Sequence, residues 1–120
     1  MKNENSILYV QTTSSPERAY SPLVLAQAAK AMGLEPTLYY LGMGLITLRP
    51  GEAEKMQCGS FPTVRDMLDK TMEMGIPIMV CEASKQMLGW ESVELIDGVK
   101  IVGAATLNDL ALDAGATMWF

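Results

Sequence analysis

The chain has 120 residues, 49% hydrophobic and 19% charged, with nine Lys and Arg against fourteen Asp and Glu for a net charge of −5. That length and mix suit one globular domain over residues 1–120, able to bury a core without disulfide staples, whereas nine scattered basic residues exclude a nucleic-acid surface, which needs clustered Lys and Arg. There is no histidine, so imidazole acid–base chemistry, Cys–His nucleophiles and His-ligated zinc are removed together, and neither a metal nor a cofactor is expected.

Ile7–Thr12 (ILYVQT) is β-branched and aromatic and predicts a strand that runs into the polar loop TSSPE. Ser14 and Glu17 have capping-box spacing, and Pro16 suits a first helical turn. Apolar positions at 20, 23, 24, 27/28 and 31 predict a helix closing at Gly33, with a kink at Pro22 or a late start at Ser21–Pro22. Thr37–Leu41 predicts a second strand. Gly42–Arg49 (GMGLITLR) reads as a short turn or helix on the sheet edge, and Pro50–Pro62 is irregular. Thr63 opens an amphipathic helix with Val64, Met67, Leu68, Thr71 and Met72 on its apolar face.

Ile76–Val80 (IPIMV) is a continuous apolar run, as expected of a strand covered on both faces. Glu82–Leu88 predicts a short helix closed by Gly89, Val99–Val102 a fourth strand, Thr106 with Asp109 a further helix, and Ala116–Phe120 a fifth strand. Strands alternating with helices predict an α/β fold: one three-layer α/β/α domain, flavodoxin- or Rossmann-like, around a mainly parallel five-stranded sheet. The start, MKNENSILYVQTT, has no long apolar region with a cleavage site, and no stretch reaches the ~20 apolar residues of a membrane span. With two cysteines and no disulfide framework, a cytoplasmic protein without membrane contact is the expectation.

Cys81 falls where an apolar strand gives way to a helix. In open parallel sheets, ligands bind beyond the carboxyl ends of the strands. Amides near Ala83 and Ser84 would point at a sulfur placed there, and Lys85, four residues on, shares its helical face; both favour the thiolate, while Glu82 opposes it. The plain alternative is a small buried hydrophobe. Without histidine, hydrolysis lacks its usual base. Thiol–sulfane exchange needs only an attacking thiolate and a stabilised leaving thiolate.

The segment from Cys81 to Gly115 (CEASKQMLGWESVELIDGVKIVGAATLNDLALDAG) resembles the C-terminal half of the DsrE/DsrF-like family: strand, Cys-x-x-Ser, four residues, Gly, an acidic-leucine stretch, "DGV", a strand and a last helix–strand pair. Cys81, Ser84, Gly89, Leu95, Asp97-Gly98-Val99 and Gly103 match in order. The N-terminal half is similar more loosely, through the first strand, Ala26–Gly33 and Gly42–Gly51. The resemblance implies sulfur trafficking by a homotrimer or homohexamer. In it Cys81 accepts persulfide or thiosulfonate sulfur from donor proteins or small sulfur compounds and passes it to an acceptor thiol. Enzymic activity would be sulfurtransferase-like at most. Some members lack the cysteine and serve in assembly, which implies an alternative: a noncatalytic oligomeric module with an inert Cys81.

Cys58, in a Gly/Ser loop, reads as a resolving thiol, a second sulfur station or an incidental loop residue. Thr13 and Ser14 leave the first strand on the edge expected to hold Cys81 and are candidates to line a pocket there, as is Trp90. Leu45–Leu48 reads as an apolar loop buried between subunits. Ten methionines beside two thiols raise soft-metal binding, but Met67, Met72 and Met79 fall on core-facing positions.

Overall fold

The computed structural model describes residues 3–120. Five strands form one sheet: β1 (Asn3–Gln11), β2 (Glu35–Tyr40), β3 (Ile78–Cys81), β4 (Lys100–Val102) and β5 (Ala114–Trp119). Four α-helices connect or flank them: α1 (Pro16–Ala31), α2 (Val64–Glu73), α3 (Glu82–Met87) and α4 (Ala104–Asp113). The order across the sheet is β4-β3-β2-β1-β5, and every neighbouring pair is parallel.

The pleat sends alternate residues to two unequal layers. Tyr9, Leu38, Tyr40, Ile78 and Val80 face a core closed by α1, α2 and the 3-10 segment Gly42–Leu48. Leu8, Val10, Tyr39, Met79 and Cys81 face the other way, where α4 packs Leu107, Leu110 and Ala111. No residue of α4 is buried, and β5 is exposed beyond Ala114. The second layer is thin.

Thr63 starts α2 as expected: its hydroxyl accepts the Asp66 N–H at 3.1 Å, and the Asp66 carboxylate accepts the Thr63 N–H at 3.2 Å. The start of α1 differs from expectation. Ser15, not Ser14, is the N-cap, and its side chain makes no cap bond, because Pro16 already fixes the first turn. The helix also runs through Pro22 without a late start. Pro22 is buried in the α1 layer, and that burial offsets the lost N–H. Leu45 and Leu48 are fully buried in this chain's own core, so they are not held back for a subunit interface. β1 begins at Asn3, before the expected Ile7, and α4 begins at Ala104 rather than at Thr106.

Candidate functional site at the end of β3

Chain direction after the strands creates an opening. Beyond β3 the chain enters α3, whose Leu88 packs on the α1/α2 side; beyond β4 it enters α4 on the opposite side. Adjacent strands whose continuations leave for opposite faces define the crevice at which open α/β sheets bind ligands. Cys81 pairs with Val102 at that point, as the last residue of β3 and the N-cap of α3.

Cys81 is 5% exposed and packs with Leu8, Val10, Tyr39 and Ala114. Its cap geometry falls short of a close side-chain hydrogen bond, but polar groups of Ser84, Tyr39 and Ala83 lie around the sulfur. Burial pushes the thiol up; the Ser84 hydroxyl and N–H, the Tyr39 phenol and the Ala83 N–H together outweigh it, so the net shift is downward from 9.0. Hydrogen bonds to the charged form favour the thiolate, and here they prevail over desolvation.

Ser84 is held for this role by a distant glycine. A Cβ at Gly44 would run into the carbonyl of Gln11, so only glycine lets the segment Gly42–Leu48 close down on the end of β1. That approach brings the Gly42 N–H to the Ser84 hydroxyl oxygen at 2.8 Å. With its oxygen occupied as acceptor, Ser84 retains its hydrogen for the sulfur.

Tyr39, which sequence reasoning missed, is fully buried and faces the same layer as Cys81. Its hydroxyl donates to the Gly103 carbonyl, the N-cap of α4, at 3.0 Å. Burial, then the approach of Cys81, raises the phenol well above its usual range, so it stays neutral and keeps the one hydrogen for which the Gly103 carbonyl and the Cys81 sulfur compete. The signal was a pattern rather than a motif: an aromatic in β2 on the same pleat face as the end of β3.

Lys85 is buried to 9% exposure and opens onto a groove with Glu82, Gln86, Glu91 and Ile101. Trp90 sits on the far side of the sheet from Cys81, half-buried against the α1/α2 core, with the Arg49 guanidinium 5.1 Å from its ring centre. Thr13 accepts the side-chain amide of Gln11 through its carbonyl at 2.6 Å and its hydroxyl at 3.3 Å; with Ser14 it forms the loop after β1. Cys58 is exposed and lines an apolar groove with Glu17, Tyr20, Val24 and Phe61 on the α1 side. Both cysteines are free thiols. Among the described residues, no group of three or more carboxylates and thiols is placed to hold a metal ion, and no helix is long and apolar enough to cross a membrane.

This fold and sequence have relatives. The chain is 30% identical over 118 residues to MJ0760 of Methanocaldococcus jannaschii, which covers 98% of this chain and 43% of that protein, so the chain spans well under half of that relative's length. It is 26% identical over 105 residues to MJ0989 of the same organism, covering 88% and 86% of the two chains. Among solved structures, the YchN protein of E. coli superimposes over the whole of both chains with a TM-score of 0.78 at 20% identity. MTH1491 of Methanobacterium thermoautotrophicum superimposes with a TM-score of 0.68 at 13% identity, over 87% of this chain and 88% of that one. These two likenesses are of fold. The model of the DsrE/DsrF-like family matches residues 5–120, nearly the full length and including the Cys81–Ser84 junction, and the chain therefore belongs to the DsrE/DsrF-like family.

Proposed function

We propose that this protein carries sulfane sulfur on Cys81. The observation that carries the reading is the set of donors around that sulfur, which outweighs its burial and favours the anion. Family membership supports it, because sulfur relay is the role associated with DsrE-like proteins. In the loading step the Cys81 thiolate attacks the outer sulfur of a donor persulfide R–S–S⁻; the donor S–S bond breaks, Cys81–S–S⁻ forms and R–S⁻ leaves. In the discharge step an acceptor thiolate attacks the outer sulfur in turn, and the Cys81 thiolate leaves. Both steps conserve charge and need no external oxidant. Ser84 and the amides of Ser84 and Ala83 stabilise the anion before, between and after the two transfers.

A second reading is favoured by one observation. At 5% exposure, packed against Leu8 and Val10, Cys81 also has the surroundings of an inert core thiol in an assembly module. In either reading we propose a homo-oligomer, trimeric or hexameric. The thin α4 layer and the β5 edge leave Leu112, Met118 and Trp119 exposed, apolar surface that a second copy would cover.

Mass spectrometry after incubation with polysulfide separates the readings. Sulfur carriage predicts a gain of one sulfur atom on the Cys81 peptide, retained in Cys58→Ser and lost in Cys81→Ser. Modification confined to Cys58 supports the inert module and rejects carriage.

A further inference from the structure

Lys85 has surroundings unusual for an ammonium. Its residue is more than nine-tenths buried, yet the ion pairs among the described residues are Lys55–Glu52 and Arg65–Asp69, which leave Lys85 without a carboxylate partner. Its Nζ is not among the sealed, unpartnered polar atoms, so the buried stem presents the ammonium to the groove it lines. The side chain lines two adjoining hollows, of about 220 Å³ and 570 Å³, that share Lys85, Glu91 and Ile101 as walls. The smaller is completed by Glu82 and Gln86. The larger extends along the loop that includes Glu94 and Asp97.

The charges of the hollow select its ligand. A simple anion would meet Lys85 but also Glu82 and Glu91, whose carboxylates oppose it. A simple cation would meet the carboxylates and be opposed by Lys85. A molecule bearing both charges on one small frame complements both. Ile101, 46% exposed on the open edge of β4, offers an apolar surface for such a ligand's side chain.

The position is equally specific. Ile101 pairs with Val80, which faces the α1/α2 core, so the hollow lies on the α3 face of the sheet, whereas Cys81 and its partner Val102 face α4. We infer that the hollow between α3 and β4 binds a zwitterionic α-amino acid, with Lys85 taking its carboxylate and Glu91 and Glu82 its ammonium. The site is separate from the Cys81 sulfur and does not rest on the sulfur-carrier reading.

S-Methyl-L-cysteine tests the site, because its sulfur cannot be transferred. Titrated into the full chain and followed by amide NMR shifts, it should give saturable changes at Lys85, Glu91 and Ile101, in Cys81→Ser as in wild type. Lys85→Met should weaken binding ~10-fold or more, as loss of a hydrogen bond to a charged group implies, and Lys85→Arg should retain most of it. The deaminated analogue 3-(methylthio)propionate and the decarboxylated analogue 2-(methylthio)ethylamine should each bind ~10-fold more weakly than the parent. Absence of saturable shifts in wild type overturns the inference, as does equal binding of the deaminated analogue, which would mark a plain anion site. Saturable binding in a chain whose Cys81 takes up no sulfur would retain the site and reject only the carrier reading.

Discussion

Replacing Ser84 with alanine removes one side-chain donor to the Cys81 sulfur while leaving the backbone donors and the Tyr39 phenol in place. A hydrogen bond to a charged group contributes ~1.5–3 kcal/mol, and one pKa unit corresponds to ~1.4 kcal/mol. The thiol should therefore rise by about one to two units, against the direction in which the intact site moves it. The same change strips the Gly42 N–H of its acceptor, 2.8 Å away in wild type, which costs ~1–3 kcal/mol of stability if that amide finds no water. The two effects separate experimentally. In a Cys58→Ser background, thiolate absorbance against pH reports the Cys81 midpoint, and urea unfolding reports stability. A midpoint unchanged by Ser84→Ala, in a variant that remains folded, would refute the claim that this hydroxyl holds the anion.

Tyr39→Phe keeps the ring and removes the phenol. It should raise the Cys81 midpoint by less than Ser84→Ala does, since Tyr39 ranks below both Ser84 donors in its action on the sulfur. It should also free the Gly103 carbonyl, seen as faster hydrogen exchange in the first turn of α4. Because the folded thiol is more acidic than the unfolded one, its contribution to stability is present above 9.0 and lost as pH falls through the lowered folded value. The stability advantage of wild type over Cys81→Ser should therefore grow as pH rises through that window, and a flat difference would contradict it. Gly44→Ala should destabilise by ~1–3 kcal/mol through its clash with the Gln11 backbone, read as a lower urea midpoint, and should displace Gly42 from Ser84, read as a raised Cys81 midpoint. Thr63→Ala should cost ~1 kcal/mol of stability and leave the Cys81 midpoint where it was, which makes it a control for stability alone.

The alternation of strands and helices could be read from the sequence because each segment's period, caps and breakers agreed, most plainly at Thr63, where capping residue, apolar stripe and observed start coincide. The location of Cys81 at a strand–helix junction was legible for the same reason: an apolar run ends on it and a helical pattern begins. Which way its side chain points was not. IPIMVC is apolar throughout, so nothing in the run distinguishes one pleat face from the other, and the partnership with Tyr39 depends on that parity. The TLYYL strand presents two adjacent tyrosines on opposite faces, and sequence alone gives no reason to prefer Tyr39 over Tyr40. Strand order was likewise illegible, because placing β5 beside β1 is a matter of long-range packing. Trp90 follows Cys81 closely in sequence, yet α3 carries the chain to the far side of the sheet before reaching it.

Transfer itself is the most direct measurement of the central claim. A donor persulfide carrying a heavy sulfur isotope is mixed with the protein, and a small acceptor thiol is added after the donor is removed. The account predicts that the label is found first on Cys81 and then in the acceptor, with Cys58→Ser behaving as wild type. Label that stays on Cys58, or that reaches the acceptor as readily through Cys81→Ser, would contradict it.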